Sequence, residues 1–298
     1  MDIIVHLDVN DTICKFDSTK NKSNAIKNNE DMILLTIVKY LKGYTSDGNN
    51  FIPYTLTQLN ESLSYITYKE YLKSKYNKQE TTTQCQALPA RCGLLSGPKG
   101  REREKISLNI LDDFANCDQV IEMYQTLKKH LLNVDIILPS AIKLFNFLLS
   151  MDIKVGILFR TFGNDMPFIQ QKLNKLFPNI KIEHKIFQNT IDGNKSFYQE
   201  LSNQTLPFCW YIQDDYKLWH SHGEISKYGK RFPLINNVSS WFFDDNENIV
   251  CPINENGEYI SNLEEYPKCK IILINTYENV IDDDYFINIL NNSNIDQN

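Results

Sequence analysis

The chain lacks the positive surplus with which a general nucleic-acid binder neutralises phosphates: 31 Lys and Arg stand against 37 Asp and Glu, a formal net charge of −6. It has no apolar run near the ~18–20 residues that span a bilayer. Its first residues hold no basic leader and no sustained apolar stretch, because Asp2 and Asp8 interrupt them. No CxxC spacing occurs among its seven cysteines (Cys14, Cys85, Cys92, Cys117, Cys209, Cys251 and Cys269), and their number is odd. These absences set four expectations: no nucleic-acid partner, no membrane, reduced thiols in the cytoplasm, and no zinc. Cys85 and Cys92 read as lone loop cysteines, with a ligand pair or a disulfide as the competing reading.

What is present is enough for a sizeable core. The chain has 298 residues, 42% of them hydrophobic, so one large domain or a core domain with a smaller companion can be built. IIVHL (3–7) is a short apolar run that ends at a polar turn, as a buried parallel strand does. The spacing of 29–44 predicts a helix, with Gly43 near its end. Helical patterns return at 54–76, as helix or strand followed by an amphipathic helix, and again at 107–133. Between them, 79–105 is rich in turn formers and basic residues and reads as a mobile loop. From about 136 the pattern alternates. Helices are expected at 139–151 and 164–178, and strands at 153–159, 208–212, 239–243 and 270–274, with a short strand IKIEHKIF. Such alternation predicts an α/β fold: a Rossmann-like parallel sheet with helices on both faces. The first strand lies far from the others in sequence, so the mainly helical stretch between them reads as an insertion.

In open α/β sheets, ligands bind beyond the carboxyl ends of the strands. Those ends here are Asp8-Val9-Asn10-Asp11-Thr12, Arg160-Thr161-Phe162-Gly163, Asp214-Asp215 and Asp244-Asp245-Asn246. Carboxylates gathered at one rim repel unless a cation sits between them. An all-oxygen set without His or Cys favours Mg²⁺. A Mg²⁺ site with a free carboxylate and a hydroxyl donor is chemistry for phosphate.

Three stretches carry a resemblance: IIVHLDVNDT, VGILFRT and WFFDDN. In this order, each at the end of an apolar strand, they resemble the first, second and fourth motifs of the haloacid dehalogenase-like superfamily, mostly Mg²⁺-dependent phosphatases. FRTFG, QDDY..W...GE...GK and FFDDN look like a eukaryotic subgroup with asparagine in its first motif. The resemblance covers most of 1–16 and 136–255. It implies a Rossmann-like core from 1–16 and 136–298, with an inserted cap at 17–135 that selects a small phosphorylated substrate or a phosphoprotein.

The resemblance also implies roles. Asp8 matches the nucleophile that forms an aspartyl-phosphate, and the main-chain carbonyl of Asn10 matches a Mg²⁺ ligand. Thr12 matches the threonine that fixes the loop. Thr161 would hydrogen-bond the transferred phosphoryl group, with Arg160 and Gly163 beside it on the substrate side. Asp244 would bind Mg²⁺, with Asp245 as a further ligand. The third motif needs a lysine before the last catalytic strand; Lys230 is chosen, with Lys217 and Lys227 as competitors. Asp214 and Asp215 either line the substrate mouth or cap a turn. Asn10 replaces the aspartate that usually serves as acid and base, and an amide cannot transfer a proton at neutral pH. The expected function is a slow Mg²⁺-dependent phosphatase, with a phosphotransferase or a non-catalytic phospho-ligand or partner-binding module as alternatives. His220 and His222 could deliver a proton, although nothing in the sequence requires it.

Overall fold

The computed structural model describes residues 3–15, 29–45, 50–53, 65–77, 109–163, 166–236 and 238–292. The expected loop at 79–105, with Cys85 and Cys92, lies outside them. The chain divides into two compact units, one made of Met1–Ala25 with Val134–Asn298, the other of Ile26–Asn133.

The first unit is built on six parallel strands. They are β1 (Ile3–Asp8), β5 (Val155–Thr161), β6 (Glu183–Lys185), β7 (Phe208–Gln213), β9 (Ser239–Asp244) and β11 (Cys269–Leu273), in the spatial order β11-β9-β1-β5-β7-β6. β1 therefore sits between strands that follow it by more than a hundred residues, with Ile3 in register with Val155 on one side and Ser239 on the other. Every residue of β1, β5 and β9 is buried, which explains their near-continuous apolar runs. After β7 the chain crosses to the far side of β1, so the direction of winding reverses beside β1. Ligand crevices form at such a switch.

Alternate residues face opposite layers. On one face, Phe159 meets Phe145 of α5 (Pro139–Ser150), and Phe243 meets Phe286 of α10 (Tyr285–Asn292). α9 (Thr276–Ile281) packs with those two helices. Pro139 starts α5 at its first turn, where its missing N–H costs nothing. On the other face, Ile4, Leu158, Trp210 and Ile212 pack against Phe197 and Leu201 of α7 (Ile191–Ser202). Cys251 and Ile253 of β10 (Val250–Ile253) close this cluster, and β10 pairs in parallel with β8 (Lys230–Pro233) as a separate two-stranded sheet. α6 (Met166–Leu176) and the short α8 (Tyr216–Ser221) complete the unit.

The second unit holds α1 (Asn29–Tyr40), α2 (Tyr68–Asn77), α3 (Ile110–Asp113) and α4 (Asp118–Leu131). It also holds a three-stranded antiparallel sheet of β2 (Lys42–Thr45), β3 (Phe51–Pro53) and β4 (Ile66–Thr67), where the sequence pattern extended a helix to Tyr44. Gly43 marks the difference. It is a strand residue whose Cβ would stand 2.3 Å from the Ile52 carbonyl and 2.5 Å from the Phe51 ring. Only glycine permits that approach. Phe51, Tyr68, Tyr71 and Phe114 form an aromatic centre for this unit. Among the described residues, no helix is long and apolar enough to cross a membrane.

Candidate active site

β1 ends in Asp8, buried at 4% exposure. Pairing continues one residue further, where Val9 N–H donates to the Arg160 carbonyl at 3.0 Å. The chain then turns sharply. Asp11 adopts φ 57°, a left-handed conformation that aspartate tolerates better than most residues. The turn is closed by Ile13 and Cys14 N–H groups donating to the Val9 carbonyl at 3.2 and 3.0 Å. Thr12 Oγ1 returns to donate to Asp8 Oδ2 at 3.3 Å. The Thr12 carbonyl accepts from Asn279 Nδ2 of α9 at 2.6 Å, and Asn279 Oδ1 accepts from Ser140 of α5 at 2.6 Å. All three of these residues are buried, so the polar loop is held from behind.

Lys230, at the start of β8, is 2% exposed. Its ammonium donates to Asp8 Oδ1 and, at 2.8 Å, to Asp244 Oδ2 at the end of β9. Burial works against its charge, but Asp244 and Asp8 outweigh burial and hold Lys230 above the ordinary lysine range. Burial also pushes Asp244 up to about 6, with Lys230 pulling it back and Asp245 pushing it further. Asp8 moves well upward for the same first reason, opposed by Lys230 and reinforced by Asp244 and Asp245.

One oxygen from each of Asp8, Asp244 and Asp245 lies within 4.8 Å of the others. Three carboxylates against one ammonium leave an excess of two negative charges when all are ionised. A divalent cation carries the matching charge, and oxygen-only ligands suit Mg²⁺. The residues therefore fit a Mg²⁺ ion.

Thr161 ends β5, fully buried. Its Oγ1 accepts from Gly163 N–H at 2.9 Å and from Asn10 Nδ2 at 3.4 Å. With both lone pairs engaged, the hydroxyl proton is left to be donated, and no acceptor for it occurs among the described residues. Asn10 thus touches the threonine of the second strand end. Phe162 follows, with its ring centroid 5.4 Å from Lys230 Nζ and stacked on Trp219 of α8 at 5.3 Å.

Other residues singled out in the sequence lie elsewhere. Arg160, expected on the substrate side, is fully buried, and its guanidinium forks onto Asp214, Nε to Oδ2 at 3.0 Å and Nη2 to Oδ1 at 2.5 Å. Asp214 is committed to that pair. Asp215 is exposed and caps α8 by accepting from Leu218 N–H at 3.0 Å. Lys217 lies exposed on α8, and Lys227 lies in a 3₁₀ turn at Ser226–Tyr228. His220 pairs with Glu224 at 3.0 Å, and His222 stacks on Tyr228 at 3.9 Å.

Sequence reasoning missed the Ser140–Asn279 support of the first loop, for which no local pattern gives a signal. It also missed Arg231, whose guanidinium donates to the Phe187 and Gln188 carbonyls and to Asn194 Oδ1. Comparison with family models, with characterised proteins and with solved structures returns no match.

Proposed function

We propose that this chain is a haloacid dehalogenase-like phosphatase that works slowly through an aspartyl-phosphate on Asp8. The observation that carries this reading is Lys230 lying between Asp8 and Asp244, with Asp245 beside them. One ammonium in that place favours the ionised form of a nucleophilic carboxylate against the burial that opposes it, and offsets the charge of an incoming phosphate.

In this reading Mg²⁺ is held by Asp8, Asp244, Asp245 and the main-chain carbonyl of Asn10. When bound, it neutralises phosphoryl oxygens and lowers the barrier to attack by an anion. Asp8 then attacks phosphorus with one carboxylate oxygen. A new O–P bond forms, the bond to the leaving oxygen breaks, and the leaving group departs with its electron pair. The Thr161 hydroxyl donates to a phosphoryl oxygen, and Lys230 balances the charge. In the second step water attacks phosphorus without a general base, the Asp8–phosphorus bond breaks, the carboxylate returns, and phosphate departs with the water's protons, releasing the surplus one to solvent.

Asn10 sets the limits of this chemistry. Its amide donates to Thr161 but cannot protonate the leaving oxygen or take a proton from water. General acid–base help, typically ~10²–10⁴-fold, is missing. The preferred substrates therefore have acidic leaving groups, as aryl and acyl phosphates do. The same amide favours a second reading, in which phospho-Asp8 persists and passes its phosphoryl group to another acceptor. A cytoplasmic setting suits both, since Cys117, Cys209, Cys251 and Cys269 are thiols outside any disulfide.

The test is Mg²⁺-dependent hydrolysis of p-nitrophenyl phosphate and acetyl phosphate by the wild type and Asp8→Asn. Turnover abolished by the substitution supports the phosphatase. Stable labelling of Asp8 without turnover supports the phosphotransferase. Equal inactivity of both proteins, with no labelling, overturns both readings and leaves a phospho-ligand-binding module.

A further inference from the structure

β8 stands outside the six-stranded sheet, and its strand partner is β10. Yet its first residue, Lys230, has to meet Asp8 of β1 and Asp244 of β9 within hydrogen-bond distance. The backbone of β8 must therefore be held against the main sheet by something other than strand pairing.

Arg160 provides that link. Its Nε and Nη2 grip the Asp214 carboxylate just beyond β7. Its remaining nitrogen, Nη1, donates to the Arg231 carbonyl at 2.5 Å and faces His6 Nδ1 of β1 at 3.1 Å. The Phe197 and Phe242 rings lie 5.6 and 5.3 Å from the guanidinium carbon and fix its plane. One fully buried side chain on β5 thus joins β1, β7 and β8. The carbonyl it holds belongs to the residue that follows Lys230, so moving that carbonyl moves the lysine.

We infer that Arg160 is a positioning residue for Lys230: it fixes the start of β8 so that the ammonium falls between Asp8 and Asp244. The catalytic part of this inference rests on the function proposed above; the positioning part does not. Lysine cannot replace Arg160, because a point charge cannot both fork onto a carboxylate and donate to a third group in a fixed plane. A displacement of about 1 Å at a reacting site costs on the order of 10²-fold in rate.

The test is a pair of double-mutant cycles with Arg160→Lys and Lys230→Met. In turnover of p-nitrophenyl phosphate, Arg160→Lys alone is expected to lower kcat by roughly 10–100-fold, with KM changed less than about threefold. In the Lys230→Met background the same substitution is expected to change kcat by less than about twofold. Equal losses in both backgrounds would mean that Arg160 acts through general integrity and would overturn the inference. In urea unfolding, the midpoint shifts of the two substitutions are expected to be non-additive; additive shifts overturn it too. A wild type without turnover would sink the proposed function alone, and the urea cycle would still decide the positioning role. If Arg160→Lys does not fold, Arg160→Met with Asp214→Leu removes both charges, leaves no lone buried ion, and enters the same cycles.

Discussion

Asn10→Asp tests the chemistry most directly, because two opposed effects can be sized. The new carboxylate would restore a proton carrier, worth ~10²–10⁴-fold. It would also delete the bond from Asn10 Nδ2 to Thr161 Oγ1 at 3.4 Å. A neutral hydrogen bond contributes roughly 0.5–1.5 kcal/mol, or about 2–13-fold in rate. Worse, the Thr161 proton could turn to the new carboxylate and away from the phosphoryl group. The net expectation is a gain of ~10–10³-fold in turnover. The gain should be uneven, since leaving groups that most need a proton benefit most. The assay is steady-state hydrolysis of a series of phosphate esters from nitrophenyl to alkyl. Wild type should fall steeply along the series, and Asn10→Asp should flatten the slope and add an alkaline limb to the pH profile, because the donor acts only while protonated. An unchanged slope in Asn10→Asp, with Asp8→Asn inactive throughout, would refute the account of Asn10.

Three further outcomes are expected. Lys230→Met leaves Asp8 and Asp244 buried without a counter-charge, so urea unfolding at pH 8 without Mg²⁺ should show a loss of about 3–5 kcal/mol, shrinking at pH 5 where a carboxylate can take a proton. Asp244 is raised to about 6 in the folded protein against ~3.9 when unfolded, so the folded state holds its proton longer and stability falls as pH rises from about 4 to about 6, by about 3 kcal/mol. Thermal unfolding in EDTA should show that decline, and saturating Mg²⁺ should flatten it. Asn279→Ala removes the donor to the Thr12 carbonyl and strands Ser140, with an expected cost of about 1–3 kcal/mol in urea and faster hydrogen exchange at Ile13 and Cys14.

The central strands were legible because burial on both faces leaves an unbroken apolar run, as in IIVHL, VGILF and SSWFF. Their polar ends, Asp8, Thr161 and Asp244, follow directly from those runs, and the structure joins Asp8 and Asp244 through Lys230 while Thr161 bonds to Asn10 of the first loop. β8 was not legible as a strand. KRFP is short and mixed in character; it pairs with β10, and a carbonyl–guanidinium bond to a residue 71 positions away ties it to the main sheet. Arg160 looked like a rim residue because it precedes Thr161. Its side chain is instead sunk among Phe197, Phe242 and Asp214, partners that no local pattern announces. In the second unit, the helical period ran on through KGYT because Gly43 reads equally well as a helix stop and as a strand residue pressed against a neighbour.

The central place of β1 has a consequence for how the protein is made. This strand leaves the ribosome well before its two neighbours, which begin at Val155 and Ser239. At translation rates of ~5–20 residues per second, it waits roughly 10–50 s before both flanks exist. During that wait the second unit, encoded between β1 and β5, has all its own strands and helices to hand. Asp8 is therefore synthesised long before Lys230 and Asp244, the residues that meet it in the folded chain. A nascent chain stopped before Lys230 carries Asp8 without the ammonium that balances its charge in the folded protein.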